Sequence, residues 1–329
     1  MHSPLITVVI PTFNRPQYLP EAVHSALDKA GDTIEVIVVP NGPDESWRQS
    51  LQPFAGDARV VISPISEPGS NVARNHGLGL ARGKFIRFLD DDDYLYPETA
   101  LAQCEILEQE GSDVVSGNLE VIDSRSNAII KTLKLPRTSD FCAGVLGPDR
   151  KCLPHMHVYR RDALGKTTWN LSTAVRQDVE WQFDLCASRE WHWSKTDRVV
   201  GVWRQHWGYR VSRTTEYNII RMKTVAMICR LYEILAQQNR LSEERRLAAA
   251  EGLWALVHSC FFLSPHYWSE VAVTADGIYP GIRPRAPVFH WPLIDNLPPL
   301  VLEWVLLPKR RLSHEIAMLA RKLKLRHAW

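Results

Sequence analysis

Four consecutive aspartates, Asp90–Asp93, follow the apolar pair Phe88-Leu89. Like charges at contact distance repel and raise one another's pKa. At the end of an apolar run they cannot all point to solvent, so something must neutralise them. A divalent cation does this. Carboxylate oxygens are hard ligands suited to Mg2+ or Mn2+, and an ion held there can bind a substrate diphosphate. The plainer reading is a solvated acidic loop that caps the next helix. Its position after an apolar strand favours the metal. His155 and His157 form a second grouping at i, i+2 spacing. On a strand both imidazoles would face one way, which suits a metal clip, a pocket lining or plain packing.

The elements that must position the aspartates alternate strand and helix. Ile6–Ile10, Ile34–Val39, Arg59–Ser63 and Lys84–Leu89 are short apolar runs that predict buried strands. Tyr18–Lys29, Asn71–Ala81 and Pro97–Glu110 carry helical spacing between and after them. Asp113–Ser116 and Leu119–Ile122 read as two more strands. This repetition implies an α/β fold, a mostly parallel sheet with helices on both faces. In such a sheet the ligand site lies beyond the carboxyl ends of the strands. Pro11-Thr12-Phe13-Asn14-Arg15, Pro40-Asn41-Gly42 and the aspartate run all fall there, so loops from separate strands converge on one crevice.

Residues 124–210 are mixed and rich in Trp and His. After about residue 213 the pattern turns helical, with amphipathic stretches at Tyr217–Gln238 and Glu243–Phe262 and a final helix at Leu312–Leu325. Residues 276–300 hold many prolines and read as an irregular connection. The expected division is 1–212 and 213–329, the second part serving acceptor, oligomer or membrane contact.

Composition bounds the answer. The 329 residues are 45% hydrophobic and 23% charged, which excludes a disordered chain. Lys plus Arg is 39 against 37 for Asp plus Glu, a balance that argues against nucleic acid held by overall charge. Six cysteines at wide, irregular spacing, none in a CxxC pair, predict reduced and buried thiols rather than a zinc site. No signal peptide or spanning segment is evident, so the expected location is the cytoplasm.

Three blocks together carry a resemblance: Pro11-Thr12-Phe13-Asn14-Arg15, then Asn71-Val-Ala-Arg74-Asn75-His-Gly77, then Gly83 through Asp93. In order and spacing they resemble the family 2 inverting glycosyltransferases with the GT-A fold. The likeness is strong over about residues 5–123, weaker to about 213 and absent beyond. It implies a nucleotide-diphosphate sugar donor, a divalent metal and an acceptor hydroxyl. It places Pro11, Thr12, Asn14 and Arg15 against the nucleoside, Arg74 in the nucleotide pocket, and Asp91 on the ribose and diphosphate side. Asp92 or Asp93 then holds Mn2+ or Mg2+, and His206 of Val202-Trp203-Arg204-Gln205-His206 completes the metal or touches the diphosphate. Gln177-Asp178-Val179-Glu180-Trp181 matches the family's acidic pair before an aromatic helix. It implies Asp178 as the general base that takes the acceptor proton, with Glu180 as the fallback.

The chain departs from the family after its second strand. An Asp-Asp-Gly-Ser motif is usual there, with one aspartate on the base; here the loop is Pro40-Asn41-Gly42-Pro43. Asn41 offers donor and acceptor to a base, and Glu35 or Asp44 are carboxylates that could substitute. Trp181, Trp191, Trp193, Trp203 and Trp207 cluster nearby in sequence. Aromatic faces stack on sugars, so Trp203 or Trp207 is a candidate acceptor contact, and core packing accounts for the others.

From Lys309 to Trp329 seven basic residues face one acid, Glu315, and Leu312, Ile316, Leu319 and Leu323 recur on one helical face. A basic amphipathic helix reads as a membrane-surface anchor, fitting a lipid-linked saccharide acceptor at the inner face of the cytoplasmic membrane. A helix packed on the protein with a solvated basic face is the alternative. The sequence points to a metal-dependent inverting transferase acting in surface polysaccharide or glycoconjugate synthesis. A nucleotidyltransferase and a non-catalytic nucleotide-sugar-binding protein remain the competing readings.

Overall fold

Ile6–Thr12 forms β1, and all seven residues are buried because the strand lies inside a sheet covered on both faces. β2 (Ile34–Pro40), β3 (Val60–Ile62) and β4 (Phe85–Phe88) join it in parallel, in the order β3-β2-β1-β4. Register pairs Thr12 with Pro40 and Val9 with Phe88. The loops leaving β1, β2 and β4 therefore share one edge. The helices between these strands are α1 (Leu19–Leu27), α2 (Trp47–Leu51) and α3 (Ser70–Leu80). Leu19, Val23 and Leu27 of α1 pack with Ile6, Val8 and Ile10 of β1 in the main core. Fully burying each such side chain contributes about 1.5–3 kcal/mol.

The structure, a computed structural model, describes residues 3–205, 217–292, 294 and 296–326, with side chains through Leu319. Contacts divide the chain into two units, Met1–Val145 with Asp149–Thr214, and Leu146–Pro148 with Thr215–Trp329.

In the first unit the chain continues through β5 (Tyr94–Leu95), α4 (Thr99–Gln109), β6 (Val114–Asp123), β7 (Ile129–Leu133), α5 (Phe141–Leu146), β8 (His157–Arg160), α6 (Arg161–Leu164), α7 (Gln177–Ser188) and β9 (Trp193–Gln205). The sheet extends as β4-β8-β6-β9-β5, with β7 on β6. It is parallel across its first four strands and mixed beyond. β8 lies antiparallel to both β4 and β6, and β9 runs parallel to β6. The crossover through α4 carries β4 to β6 and leaves a slot between them. A later strand entering that slot from the opposite end needs no crossover helix.

The two strands expected at 113–122 are one strand, β6, with a register shift between Ser116 and Asn118. Gly117 permits this: a Cβ there would stand 2.3 Å from Val200 Cγ1 of β9.

The second unit is helical: α8 (Tyr217–Gln237), α9 (Glu243–Cys260), α10 (Pro265–Ile278) and α11 (Pro299–Arg326). Ser242 caps α9 by accepting from the Arg245 amide, and Pro265 opens α10. The separate apolar run and final helix expected at the C-terminus form one helix, α11, with Pro308 inside it. Among the described residues no helix is long and apolar enough to cross a membrane. All six cysteines are free thiols, five of them buried.

Candidate active site

The loop after β4 turns the aspartates in different directions. Asp91 points back under β1, accepting from Thr12 Oγ1 at 2.7 Å and Arg15 Nη1 at 2.9 Å. The same Arg15 nitrogen lies 2.9 Å from Asp92 Oδ2, so one guanidinium bridges two carboxylates. Burial, with Asp92 and Asp90 beside it, pushes the Asp91 carboxyl above the usual carboxylate range against the pull of Arg15. Burial also opposes the charge on Arg15, but Asp91 and Asp92 outweigh it and hold the guanidinium above its ordinary pKa. Asp93 accepts from the Arg204 amide of β9 at 2.8 Å. Asp90, Asp92 and Asp93 each offer a carboxylate oxygen, and these oxygens lie within 4.8 Å of one another. That is a hard-oxygen donor set of the kind that fits a divalent cation. Asp90, left without a role in the sequence reading, belongs to it.

A second wall comes from α3 and α7. Arg74 is 5% exposed, with Nη2 2.6 Å from Asp90 Oδ1 and its guanidinium 4.4 Å over the Trp169 ring. Its Nη1 donates to Asn71 Oδ1 and to Gln177 Oε1, at 3.2 and 3.1 Å. Gln177 opens α7, so Asp178 follows one residue from this junction. Arg176, just before, holds a φ of +63° in the left-handed region. A non-glycine residue there carries strain of about 1–3 kcal/mol, a feature often met at active sites. Burial raises the pKa of the Asp178 carboxyl, Arg176 opposes that rise, and both Asp90 and Arg74 act on the same carboxyl. Asp178 therefore shares an electrostatic environment with the acidic loop.

The loop after β2 is tied in by Asn41. Its Nδ2 donates to the Thr12 carbonyl at 2.8 Å, and its Oδ1 accepts from the Gly69 amide at 2.8 Å. Gly69 has a φ of 138°, which glycine tolerates, and it leads into α3. Asn41 thus joins three loops. Of the two substitute carboxylates, Glu35 lies at the amino end of β2, bonded to Thr7 and Arg82, on the wrong edge of the sheet. Asp44 lies on the right edge, where Oδ2 accepts from the Asn14 amide at 2.6 Å. Burial works against its charge, but the bonds from Ser46 and Asn14 lower its pKa overall. Asn14 holds a φ of +54°, and Phe13 beside it is 46% exposed. Pro11 is buried as part of β1.

The histidine pair does not form a clip. His155 sits in a 3-10 turn, Pro154–Met156, with Nδ1 3.6 Å from Asp93 Oδ2. His157 begins β8 and bonds Ser116 Oγ at 2.6 Å and the Lys151 carbonyl at 3.1 Å. Burial lowers their pKa values to about 4 and about 3, so both are neutral at pH 7. Glu180 is buried and accepts from Asn170 Nδ2 at 3.1 Å and from Thr173 Oγ1, which fastens the 170–173 loop. Trp181, Trp191 and Trp193 are core residues. Trp203 is half-buried on β9, opposite Val121. His206 and Trp207 lie outside the described residues.

Trp169 carried no signal in the sequence, because its neighbours have no periodicity. It stacks on Trp181 with centroids 4.7 Å apart while Arg74 covers it, giving the second wall a rigid base.

A family model described as glycosyl transferase family 2 matches residues 7–168. The chain is 33% identical over 113 residues to the uncharacterized glycosyltransferase EpsJ of Bacillus subtilis (strain 168), covering 34% of this chain and 33% of that protein. It is 32% identical over 137 residues to the succinoglycan biosynthesis protein ExoO of Rhizobium meliloti (strain 1021), covering 41% and 39%. The aligned part spans well under half the length of these curated relatives. Among solved structures, S. aureus TarS 1-349 in complex with UDP-GlcNAc superposes with a TM-score of 0.56 at 17% identity, over 82% of this chain and 88% of that one. The mannosyltransferase PcManGT from Pyrobaculum calidifontis, in complex with GDP-Man and Mn2+, gives a TM-score of 0.51 at 14% identity, over 94% and 88%. At these identities the likeness shows the fold, which is GT-A.

Proposed function

This chain belongs to glycosyl transferase family 2, and we propose that it moves a sugar from a nucleotide-diphosphate sugar to an acceptor hydroxyl with inversion at the anomeric carbon. The observation that carries this reading is the junction of Asp178 with the acidic loop. Arg74 bonds Asp90 at 2.6 Å and Gln177 at 3.1 Å, and Asp178 is the next residue. A single in-line displacement requires a base in the same crevice as the group that binds the leaving diphosphate, across the anomeric carbon from it.

In this reading Thr12 and Arg15 hold Asp91 toward the ribose, and Phe13 and Asp44 border the base. Asn41 acts by fixing the loops rather than by touching the nucleotide. Asp90, Asp92 and Asp93 would hold Mn2+ or Mg2+, which when bound supplies positive charge to the leaving diphosphate. The donor set supports this, and PcManGT, of the same fold, was solved with Mn2+. Asp178 accepts the acceptor's proton as its oxygen attacks the anomeric carbon opposite the diphosphate. Its raised pKa makes it a stronger base than an exposed carboxylate. The acceptor is a saccharide or lipid-linked saccharide. The setting is surface polysaccharide synthesis, in keeping with a relative named a succinoglycan biosynthesis protein, and the place is the cytoplasm at the inner face of the membrane. The 1–212 part carries catalysis, and 213–329 carries acceptor or membrane contact.

Asp178→Asn tests the assignment. A folded variant that binds donor but transfers sugar at about 10²–10⁴ lower rate supports it. Transfer at the native rate overturns it.

A further inference from the structure

Helix α11 has two apolar sides. On one, Leu302 and Leu307 are buried, together with Glu303, whose carboxylate accepts from His258 Nδ1 at 2.6 Å and Arg310 Nη1 at 2.5 Å. On the other, Val301, Val305, Leu312, Ile316 and Leu319 are 46%, 64%, 59%, 58% and 60% exposed. At about 100° per residue these five fall within an arc of roughly 60°, a straight line about 27 Å long. Pro308 is exposed on the same line, and Trp304, 40% exposed, stands beside it. Lys309 and Arg311 are exposed on its two flanks. Contiguous exposed apolar surface of this kind marks an interaction site.

Charge decides what covers it. From Lys309 onward the chain carries seven basic residues and one acid. Between Pro299 and Pro308 the one acid is Glu303, buried and already paired. Two copies joined along this line would bring together two segments of net +6 each from Lys309 onward, with the exposed Glu315 beside the line as the one acid of each segment to offset them. An anionic lipid surface supplies the missing negative charge and also takes up the apolar line. We infer that the outward face of α11 docks on an anionic bilayer, the helix lying in the interface plane with Val301, Val305, Leu312, Ile316 and Leu319 inserted. Trp304 suits the headgroup level, where one end of an indole is wet.

This deepens the membrane setting proposed above, and vesicle binding and sugar transfer are separate readouts, so either can fail alone. The test is co-sedimentation of the full chain with phosphatidylcholine vesicles, with and without phosphatidylglycerol, alongside light scattering. Binding to phosphatidylglycerol vesicles that is lost in high salt is expected. The triple variant Leu312→Ser, Ile316→Ser, Leu319→Ser should lose about tenfold or more of that binding, with circular dichroism and nucleotide binding unchanged. Lys309→Gln with Arg311→Gln should weaken binding to the anionic vesicles only. The inference is overturned by equal binding to both vesicle types, by a triple variant that binds like the native chain, or by a dimer that the triple variant abolishes.

Discussion

Gln177 Oε1 accepts from Arg74 Nη1 at 3.1 Å, joining the first residue of α7 to the middle of α3. The same oxygen accepts from Ser70 Oγ at 2.7 Å, and Arg74 Nη2 reaches Asp90. That amide oxygen braces the start of α7, and with it the proposed base, against the residue that holds the acidic loop. Gln177→Ala removes that brace while leaving Asp178 in place. Displacement of a reacting group by about 1 Å costs roughly 10²-fold. A fall of about 10–10²-fold in kcat, with little change in donor KM, is expected from steady-state kinetics. An unchanged kcat would show that α7 is held by other contacts.

Asp178→Asn should also stabilise the fold at neutral pH. The folded-state pKa of Asp178 lies above its unfolded value, so its contribution is fully present below the unfolded pKa of about 3.9 and is lost as pH rises through the folded pKa. Asparagine carries no such loss. The variant's Tm should exceed the native one at pH 7.5, and the gap should close toward pH 4. The same shift places the acid limb of kcat/KM above the range of an exposed carboxylate.

Arg15 bridges Asp91 and Asp92, from 2.9 Å each, and offsets part of their charge. Arg15→Ala leaves two buried carboxylates facing one another. Breaking a largely buried pair costs about 3 kcal/mol. Calorimetry in chelator should show that loss, and Mn2+ should restore part of it. Arg15→Lys, which keeps the charge without the planar fork, should fall between.

Gly117→Ala tests why β6 is continuous. The new methyl would meet Val200 Cγ1 at 2.3 Å and Cγ2 at 3.1 Å, both on the neighbouring strand. Overpacking of this kind costs about 1–3 kcal/mol. The denaturation midpoint should fall by that amount and recover in the double variant with Val200→Ala.

The parallel half of the sheet was legible because β1, β2 and β4 are buried on both faces and read as unbroken apolar runs. β8 was not, because His157–Arg160 is four residues long with polar ends and gets its place from β4 and β6. The break read at 117–118 is a register shift at Gly117, where β6 packs closely on Val200 of β9. Helix α11 runs through Pro308, although proline usually ends a helix. In the site, the position of the acidic loop followed from strand ends. The partner of each side chain did not. Spacing cannot tell that Asp91 turns toward Arg15, that Asn41 bonds backbone, or that Asp90 faces Arg74. Those facts depend on loops that meet only when the sheet is assembled.

On the proposed function, a nucleotide-diphosphate sugar and a divalent cation share the crevice between the acidic loop and α7. The most direct test is thermal shift of the native chain against a panel of nucleoside diphosphates, each with Mn2+ or with chelator. A rise in Tm for one nucleotide in Mn2+, lost in chelator and lost in Asp92→Asn and Asp93→Asn, is the expected result. Equal stabilisation in Mn2+ and in chelator, or by every nucleotide in both aspartate variants, would contradict it.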